Sequence, residues 1–418
     1  VPHAQVLRQL LEQAELADEV GLHAFGVGEH HRRDFAVSAP EVFLAAAAAR
    51  TRHIRLGSAV TVLSSDDPIR VFQRFSTVDA ISNGRAEVML GRGSFVESFP
   101  LFGLDLADYE VLFEEKLELF DKARAQRPIH WDGRTRPAIN GLSAYPPLEH
   151  HLLPAWIGVG GTPESVLRCA EYGYPIIFAI IGGQPRSFGP LANLYREAMA
   201  KYGHPMQQMA THSPGHVAET DEEAREEFFP HWLGQRNLIG AERGWGPGNR
   251  AEFDAMCTTE GALYVGSPDT VAAKIALLKK KLGVDRFDLK YSNGTLPHKA
   301  MMRSIELFGT ERNGDGRETV AKVGFLEQAH GGIIYFDEVA DMPLGTQSKI
   351  LRVLVGQQFA RVGGTEKIHV DMRVISSTNR DLKAAIAAGS FRQELYHRLN
   401  VAPIAVPSLE DRREHIPL

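Results

Sequence analysis

The sequence predicts an α/β protein built on a parallel sheet, and three observations predict it. Strand-like and helix-like segments alternate from residue 6 to residue 307. The strand-like segments are short and apolar, as strands buried on both faces are. Polar and glycine-rich clusters fall where those strands end, the edge at which parallel α/β sheets build their sites.

Taken in order, the chain opens in an expected helix. Val6, Leu7, Leu10, Leu11, Ala14, Ala17 and Val20 recur at three- and four-residue steps, and Gly21 closes the run. An expected strand, Ala24–Gly28, runs into Glu29-His30-His31. The alternation continues through helix Pro40–Arg50, strand Ile54–Leu63 and helix Pro68–Ile81, which Ser82-Asn83-Gly84 stops. Strand Ala86–Leu90 leads into Gly91-Arg92-Gly93-Ser94, and helix Ala107–Ala125 precedes a Pro-containing excursion, Arg127–Pro154. Then come strand Ala155–Val159, helix Pro163–Tyr172, strand Pro175–Ile181, helix Ser187–Tyr202, strand Met209–Ala218 and helix Asp221–Leu233. Past a Gly-rich loop near Arg243–Arg250, helix Pro268–Leu282, strand Arg286–Tyr291 and helix Pro297–Leu307 complete the series. Seven strands alternating with helices read as a (β/α)8 barrel without its first strand, because the alternation begins with a helix. That strand is expected upstream of Val1 in a longer chain.

Composition narrows the function. At about 150 residues per domain, 418 residues make two or three domains. Hydrophobic residues at 44% and charged residues at 23% are those of a folded chain. The longest apolar runs, Val42–Ala49 and Pro175–Ile181, fall short of the roughly 18 residues that span a bilayer. A net charge of −6, with acidic and basic residues balanced after residue 308, excludes a basic nucleic-acid surface. Cys169 and Cys257 cannot make a disulfide framework, and Val1-Pro2-His3 opens no signal-peptide pattern, so a cytoplasmic location is expected.

Candidate chemistry gathers at strand ends. In Gly158-Val159-Gly160-Gly161-Thr162-Pro163-Glu164-Ser165, paired glycines admit a ligand to the backbone and Pro163 suits a first helical turn. Free N–H groups at that helix start, with the Thr162 and Ser165 hydroxyls, make a phosphate cradle; an ordinary capped turn is the alternative. His30 and His31 are neighbours on an extended chain and face opposite ways, so one belongs to a site and the other to packing or surface. No Cys or further His stands at ligand spacing, which disfavours a metal. The sequence lacks G-x-S-x-G, G-x-G-x-x-G and G-x-x-x-x-G-K-[ST], the marks of serine hydrolases, Rossmann dehydrogenases and P-loop NTPases.

These residues carry a resemblance. Ala17-Asp18-Glu19-Val20-Gly21-Leu22, Gly28-Glu29-His30-His31, Ile54–Val60, Asp79 with Ser82-Asn83-Gly84-Arg85, Gly91-Arg92-Gly93-Ser94 and Gly160–Ser165 stand in order within residues 4–310. Together they resemble the bacterial luciferase-like flavin-dependent monooxygenases. The resemblance implies a (β/α)8 TIM barrel that binds reduced FMN, or in some branches F420, at its carboxyl end. It implies that His30 stabilises or protonates a flavin–oxygen adduct, and that Ala59-Val60 carries a non-proline cis peptide under the isoalloxazine. Arg92, Gly160, Gly161, Thr162, Glu164 and Ser165 would surround the flavin phosphate, Glu164 through its backbone N–H. The excursion 127–154 would shape the substrate pocket. A flavin reductase, O2, a small organic substrate and a homodimeric partner are implied with it.

Residues 1–310 are therefore expected to form the barrel, and polar, aperiodic 311–322 a linker. In residues 323–418, Gly331-Gly332-Ile333-Ile334-Tyr335-Phe336-Asp337-Glu338 reads as an apolar strand ending in two carboxylates. That pattern fits a Mg²⁺-binding, water-polarising pair, or any strand ending at a polar turn. With Gln347–Leu354, Asp371–Leu382 and Phe391–Val401, it resembles part of the AAA+ module of sigma-54 activators of the NtrX type. The resemblance would make Asp337 and Glu338 the Walker B pair, Asn379 the sensor, and Arg392 and Arg398 trans-acting arginine fingers. No Walker A loop accompanies them, so a vestigial ATPase without ATP hydrolysis is expected. Three readings follow: a flavin monooxygenase with an inert appendage, a sigma-54 regulator with a replaced amino-terminal part, or a chimera with neither activity. Within the first, an F420-dependent oxidoreductase is the alternative chemistry.

Overall fold

The structure, a computed structural model, describes residues 1–93, 95–148, 152–309, 332–342, 344–360 and 367–404. It divides into two compact units, Val1–Asp315 and Gly316–Leu418.

The first unit is a curled parallel sheet wrapped by helices. Its strands are β1 (Ala24–Val27), β2 (Arg55–Ser58), β3 (Thr61–Val62), β4 (Ala86–Gly91), β7 (Ala155–Val159), β8 (Ile176–Ala179), β9 (Met209–Val217), β10 (Tyr264–Gly266) and β11 (Arg286–Lys290). An antiparallel pair, β5 (Ile129–Trp131) and β6 (Ile139–Leu142), stands apart from the sheet. The order is β1-β2-β4-β7-β8-β9-β10, with β3 on β4 and β11 on β9. Among the described residues β1 pairs only with β2, and β11 only with β9. The barrel is open between them. Exposure follows: Gly26 is exposed and every β11 residue keeps partial exposure, whereas β4, in mid-sheet, is buried throughout. Phe25 and Tyr291 meet across the seam, ring centroids 6.2 Å apart.

The outer layer comprises α1 (His3–Glu19), α2 (Pro40–Arg50), α3 (Pro68–Ser82), α4 (Ser98–Leu101), α5 (Tyr109–Arg124), α6 (Pro163–Glu171), α7 (Gly189–Tyr202), α8 (Asp221–Arg243), α9 (Arg250–Cys257), α10 (Pro268–Leu282) and α11 (His298–Gly309). Local chemistry sets their ends. Asp67 caps α3 through the N–H groups of Ile69 and Arg70, and Asn83 ends that helix in the left-handed conformation. Outward strand residues such as Val88, Leu90, Ile157 and Phe178 pack beneath these helices. Inward residues Met89, Trp156, Ile177 and Ala210 fill the barrel floor. Alternation along each strand separates the two sets.

Three expectations need correction. The strand expected over 54–63 is broken into β2 and β3 at Ala59-Val60, whose peptide is cis. Helix α8 does not stop at Leu233 but runs to Arg243 through Pro230 and Gly234, since Phe228, Trp232 and Gly240 are buried along it and Gly244 closes it. The Gly-rich loop stands at 244–249, but a helix absent from the expected series, α9, follows it, and Asn249 caps that helix through Glu252 N–H. The excursion 127–154 holds the β5–β6 hairpin, whose polar contacts run to the outer layer. Thr135 and Arg134 bond Glu115 of α5, Arg136 pairs with Asp67 at the head of α3, and Ser76 donates to Pro146 O.

The second unit is described over β12 (Ile333–Phe336), α12 (Leu344–Gly356), β13 (Gln358–Ala360), β14 (Lys367–His369), β15 (Arg373–Ser376), α13 (Leu382–Ala387) and α14 (Gln393–Leu399). Parallel β12 and β15 turn Phe336 and Val374 onto a core with Val339, Leu354, Phe391 and Leu395. Their other face leaves Ile333, Tyr335 and Ile375 at 60%, 57% and 51% exposure.

Candidate active site

The carboxyl ends of the barrel strands converge on one mouth, and the expected site residues lie there. Four glycines make room for Ala59-Val60. A Cβ at Gly91 would stand 2.6 Å from Val60 Cγ2, and one at Gly158 3.1 Å from Cγ1. One at Gly26 or Gly28 would crowd Ala59 at 3.1 and 3.3 Å. Ala59 and Val60 pack against the floor cluster yet keep partial exposure, so they form the surface on which a planar ring can rest.

His30 follows β1 and lies tilted against Phe35, centroids 4.0 Å apart, in an edge contact with Phe95 at 5.3 Å. Burial lowers its pKa to about 4, with Lys290 adding to the effect and Glu97 and Asp34 opposing it. The imidazole is thus neutral at physiological pH, and its ring nitrogens have no hydrogen-bond partner among the described residues. His31 turns away: Nε2 pairs with Glu29 Oε1 at 2.8 Å, while Glu29 Oε2 accepts Val62 N–H at 2.8 Å. The strand ends at Val27, so the two histidines part in the following loop, His30 against Phe35 and Phe95 and His31 against Glu29 and Phe102.

At the end of β7, Gly160-Gly161 open onto α6. Gly161 has φ +126°, and a Cβ at Gly160 would meet nothing within 4 Å. Thr162 is the N-cap but makes no side-chain cap bond; its Oγ1 donates instead to Ser165 Oγ at 2.7 Å. The N–H groups of Glu164 and Ser165 in the first turn are therefore left for a ligand. Arg92 reaches the same point from β4, Nη2 donating to Ser165 Oγ at 3.1 Å while Nη1 pairs with Glu110. An unused helix start, two hydroxyls and a guanidinium fit a phosphate. Ser94 of the same loop lies outside the described residues.

Sequence reasoning missed the inward face of β9 and β11. Arg286 binds Glu87 with Nη2–Oε1 at 2.8 Å and Asp288 with Nε–Oδ1 at 2.6 Å, and lies over Trp156, 5.3 Å from its centroid. Above this cluster His212 and Lys290 face the mouth. The signal was there to find: Arg286-Phe287-Asp288-Leu289-Lys290 alternates charged with apolar residues at period two.

In the second unit the structure gathers three of the five expected residues. Asp337 Oδ1 accepts from Ser377 Oγ at 2.5 Å and Tyr335 OH at 3.2 Å, and Glu338 Oε2 accepts Asn379 N–H at 3.1 Å. Arg392 precedes α14, its N–H bonded to Gln347 Oε1 at 2.8 Å. Arg398, at the other end of that helix, donates Nη2 to Leu354 O at 2.8 Å. Residues 310–331, with the expected linker, and 405–418 lie outside the described residues.

A parallel β/α barrel whose strand ends carry the glycine-rich and polar loops is the architecture of the (β/α)8 class. The chain belongs to the luciferase-like monooxygenase family, whose model matches residues 1–286. A second model, the sigma-54 interaction domain, matches residues 276–405. Similar solved structures include the monooxygenase RslO1 of Streptomyces bottropensis, at TM-score 0.65 and 24% identity over 74% of this chain and 93% of that one. The oxygenating constituent of 3,6-diketocamphane monooxygenase from Pseudomonas putida, in complex with FMN, matches at TM-score 0.62 and 19% identity, over 74% and 94%. The F420-dependent tetrahydromethanopterin reductase of Methanopyrus kandleri matches at 0.54 and 18%, over 73% and 94%. The carboxyl-terminal part is 59% identical over 112 residues to the nitrogen assimilation regulatory protein NtrX of Azorhizobium caulinodans, covering 27% of this chain and 24% of that protein. It is 44% identical over 128 residues to VnfA of Azotobacter vinelandii, covering 31% and 24%. The chain thus spans about a quarter of the length of these curated relatives. Among the described residues no helix is long and apolar enough to cross a membrane.

Proposed function

We propose that the barrel unit is a flavin-dependent monooxygenase that uses reduced FMN and O2 on a small organic substrate. The observation that carries this reading is the uncapped start of α6, joined by Arg92, beside a mouth floored by Ala59-Val60. When bound, reduced FMN supplies the electrons that activate O2. Arg92, Thr162, Ser165 and the N–H groups of Glu164 and Ser165 would hold its phosphate, with Gly160 and Gly161 giving access. Ala59 and Val60 would support the ring. Neutral His30 offers one N–H and one lone pair, so it can hold or move a proton at the mouth. Phe35 and Phe95 shield that imidazole from water. A separate flavin reductase and a second copy of the chain complete the proposal.

An anaerobic titration of the full chain with reduced FMN, with reduced F420 as competitor, tests it. Saturable binding of about one FMN per chain supports the reading, and preference for F420 moves the chemistry to hydride transfer. Binding of neither overturns both. In the second unit, Asp337 accepts from Ser377 and Glu338 accepts Asn379 N–H, but the sequence supplies no phosphate loop. We propose that this unit does not turn over ATP.

A further inference from the structure

The mouth holds a lysine that the flavin reading does not use. Lys290 ends β11, in register with Pro214 of β9, and Asp288 stands opposite His212. Arg286 lies over inward-facing Trp156, whereas Phe287 packs against Tyr264 and Leu289 joins the outer core. Strand alternation therefore turns Arg286, Asp288 and Lys290 inward together. Deeper residues Met89, Trp156, Ile177 and Ala210 are buried, but His30, Gly158, Ala179, His212 and Lys290 all keep partial exposure. They stand above a filled floor.

The charges around Lys290 are unbalanced. Asp288 is its acidic neighbour on β11, and both its oxygens are taken by Arg286. Glu87, across the floor, is likewise bound to Arg286. The ammonium makes one bond, Nζ to Ser292 O at 2.7 Å, which leaves two N–H donors. Its field reaches both His30 and His212 and, with burial, lowers each imidazole pKa to about 4. Glu97 and Asp34 face His30 from the loops, with Arg32 beside them. Three nitrogen side chains thus share one corner, and no carboxylate of the described residues is bonded to Lys290.

We infer that Lys290, with the N–H groups of His30 and His212, forms an anion-recognising corner that selects substrates bearing a carboxylate. A substrate carboxylate would supply the missing counter-charge and accept the two free N–H donors. The oxidisable part of the same molecule would then lie over Ala59-Val60. This specificity rests on the flavin reading for the reaction, but not for the binding.

The test is a calorimetric titration of the full chain with benzoate, with benzamide as the uncharged isostere. Benzoate is expected to bind once per chain and benzamide at least tenfold more weakly. Benzoate affinity should fall by about tenfold per pH unit above about 8, where the ammonium loses its proton. Lys290→Met should lose at least tenfold and Lys290→Arg, which keeps the cation, should recover most of it; circular dichroism and reduced-FMN titration of both variants check folding. Equal binding of benzoate and benzamide, no benzoate binding to the wild-type chain, or unchanged affinity in Lys290→Met overturns the inference. FMN binding without Lys290-dependent benzoate binding sinks the corner and spares the flavin site. Lys290-dependent benzoate binding without FMN binding does the reverse.

Discussion

Replacing Arg92 by Ala removes the one guanidinium that reaches the start of α6, and its effect can be sized from the contacts. The Arg92 side chain is 24% exposed and contacts Ser165 Oγ at 3.1 Å, so it is positioned to meet a phosphate at the open N–H groups. A charge-assisted hydrogen bond contributes about 1.5–3 kcal/mol, which is roughly 10- to 150-fold in affinity. Glu110 competes for the same guanidinium, so the lower half of that range, about 10- to 40-fold, is expected. The assay is a pair of anaerobic titrations, one with reduced FMN and one with reduced riboflavin, which lacks the phosphate. Arg92→Ala should weaken FMN and leave riboflavin within about twofold. Fold stability should hold, since Glu110 keeps Arg168 at 3.1 Å. Equal weakening of both ligands would refute the reasoning, because it would place Arg92 against the ring or in the fold instead of at the phosphate.

Glu87→Gln should destabilise the barrel by about 1–3 kcal/mol, read as a lower urea midpoint, because Arg286 stays inside with only Asp288 to balance it. A variant as stable as wild type would show that Asp288 suffices. His30 and His212 are held neutral in the folded state with pKa lowered to about 4, against about 6.5 unfolded. The unfolded chain therefore takes up protons first as pH falls from 6.5 toward 4. Stability should drop over that window by an amount on the order of 2–3 kcal/mol per histidine, and a His30→Asn, His212→Asn double variant should flatten the profile. Finally, Ile333→Lys with Tyr335→Lys should reduce binding of a hydrophobic dye and raise solubility, since both side chains are more than half exposed on one sheet face. Unchanged dye binding would mean that the apolar surface lies elsewhere.

Much of the barrel was legible because short apolar strands and amphipathic helices follow two different periods. Strands at 86–90 and 155–159 lie within a residue of β4 and β7, since each is buried on both faces and flanked by turn residues. The start of α6 was legible for a related reason: paired glycines before Thr-Pro allow few backbone paths. What escaped depended on contacts distant in sequence. Helix α8 continues past Gly234 with its second half held from elsewhere in the chain, Arg32 bonding Glu242 at 2.6 Å and Glu252 accepting from Arg236 at 3.0 Å, and no local propensity encodes this. The inward face of β11 escaped because a five-residue strand read alone does not say which of its faces lines the barrel. Only the register with β9 and the reach of Arg286 to Glu87, 199 residues away, turn its charges into the barrel.

Residues 276–309 raise a question of which unit owns them, because the sigma-54 interaction domain match begins at 276 while the luciferase-like match ends at 286. Physical contacts assign them to the barrel. Strand β11 pairs in parallel with β9 over five residues, and through Arg286 it closes the ion cluster on the floor. Helix α11 packs along α1: His298 bonds Gln13 Nε2 and Glu12 Oε2, at 2.9 and 2.8 Å. Ser304 Oγ accepts Val217 N–H at 3.0 Å, joining the same helix to β9. Gln13, 2% exposed, also accepts the Tyr291 hydroxyl at 2.7 Å, so helix α1 ties down both the end of β11 and the start of α11. Each of these bonds would be lost if the segment folded with residues beyond 309, and the buried Gln13 would be left without a partner. The alternating face of β11, which presents Lys290 to the mouth, therefore belongs to the same folding unit as His30 and the start of α6. A substrate corner built from Lys290 needs that continuity, and the barrel's own packing supplies it.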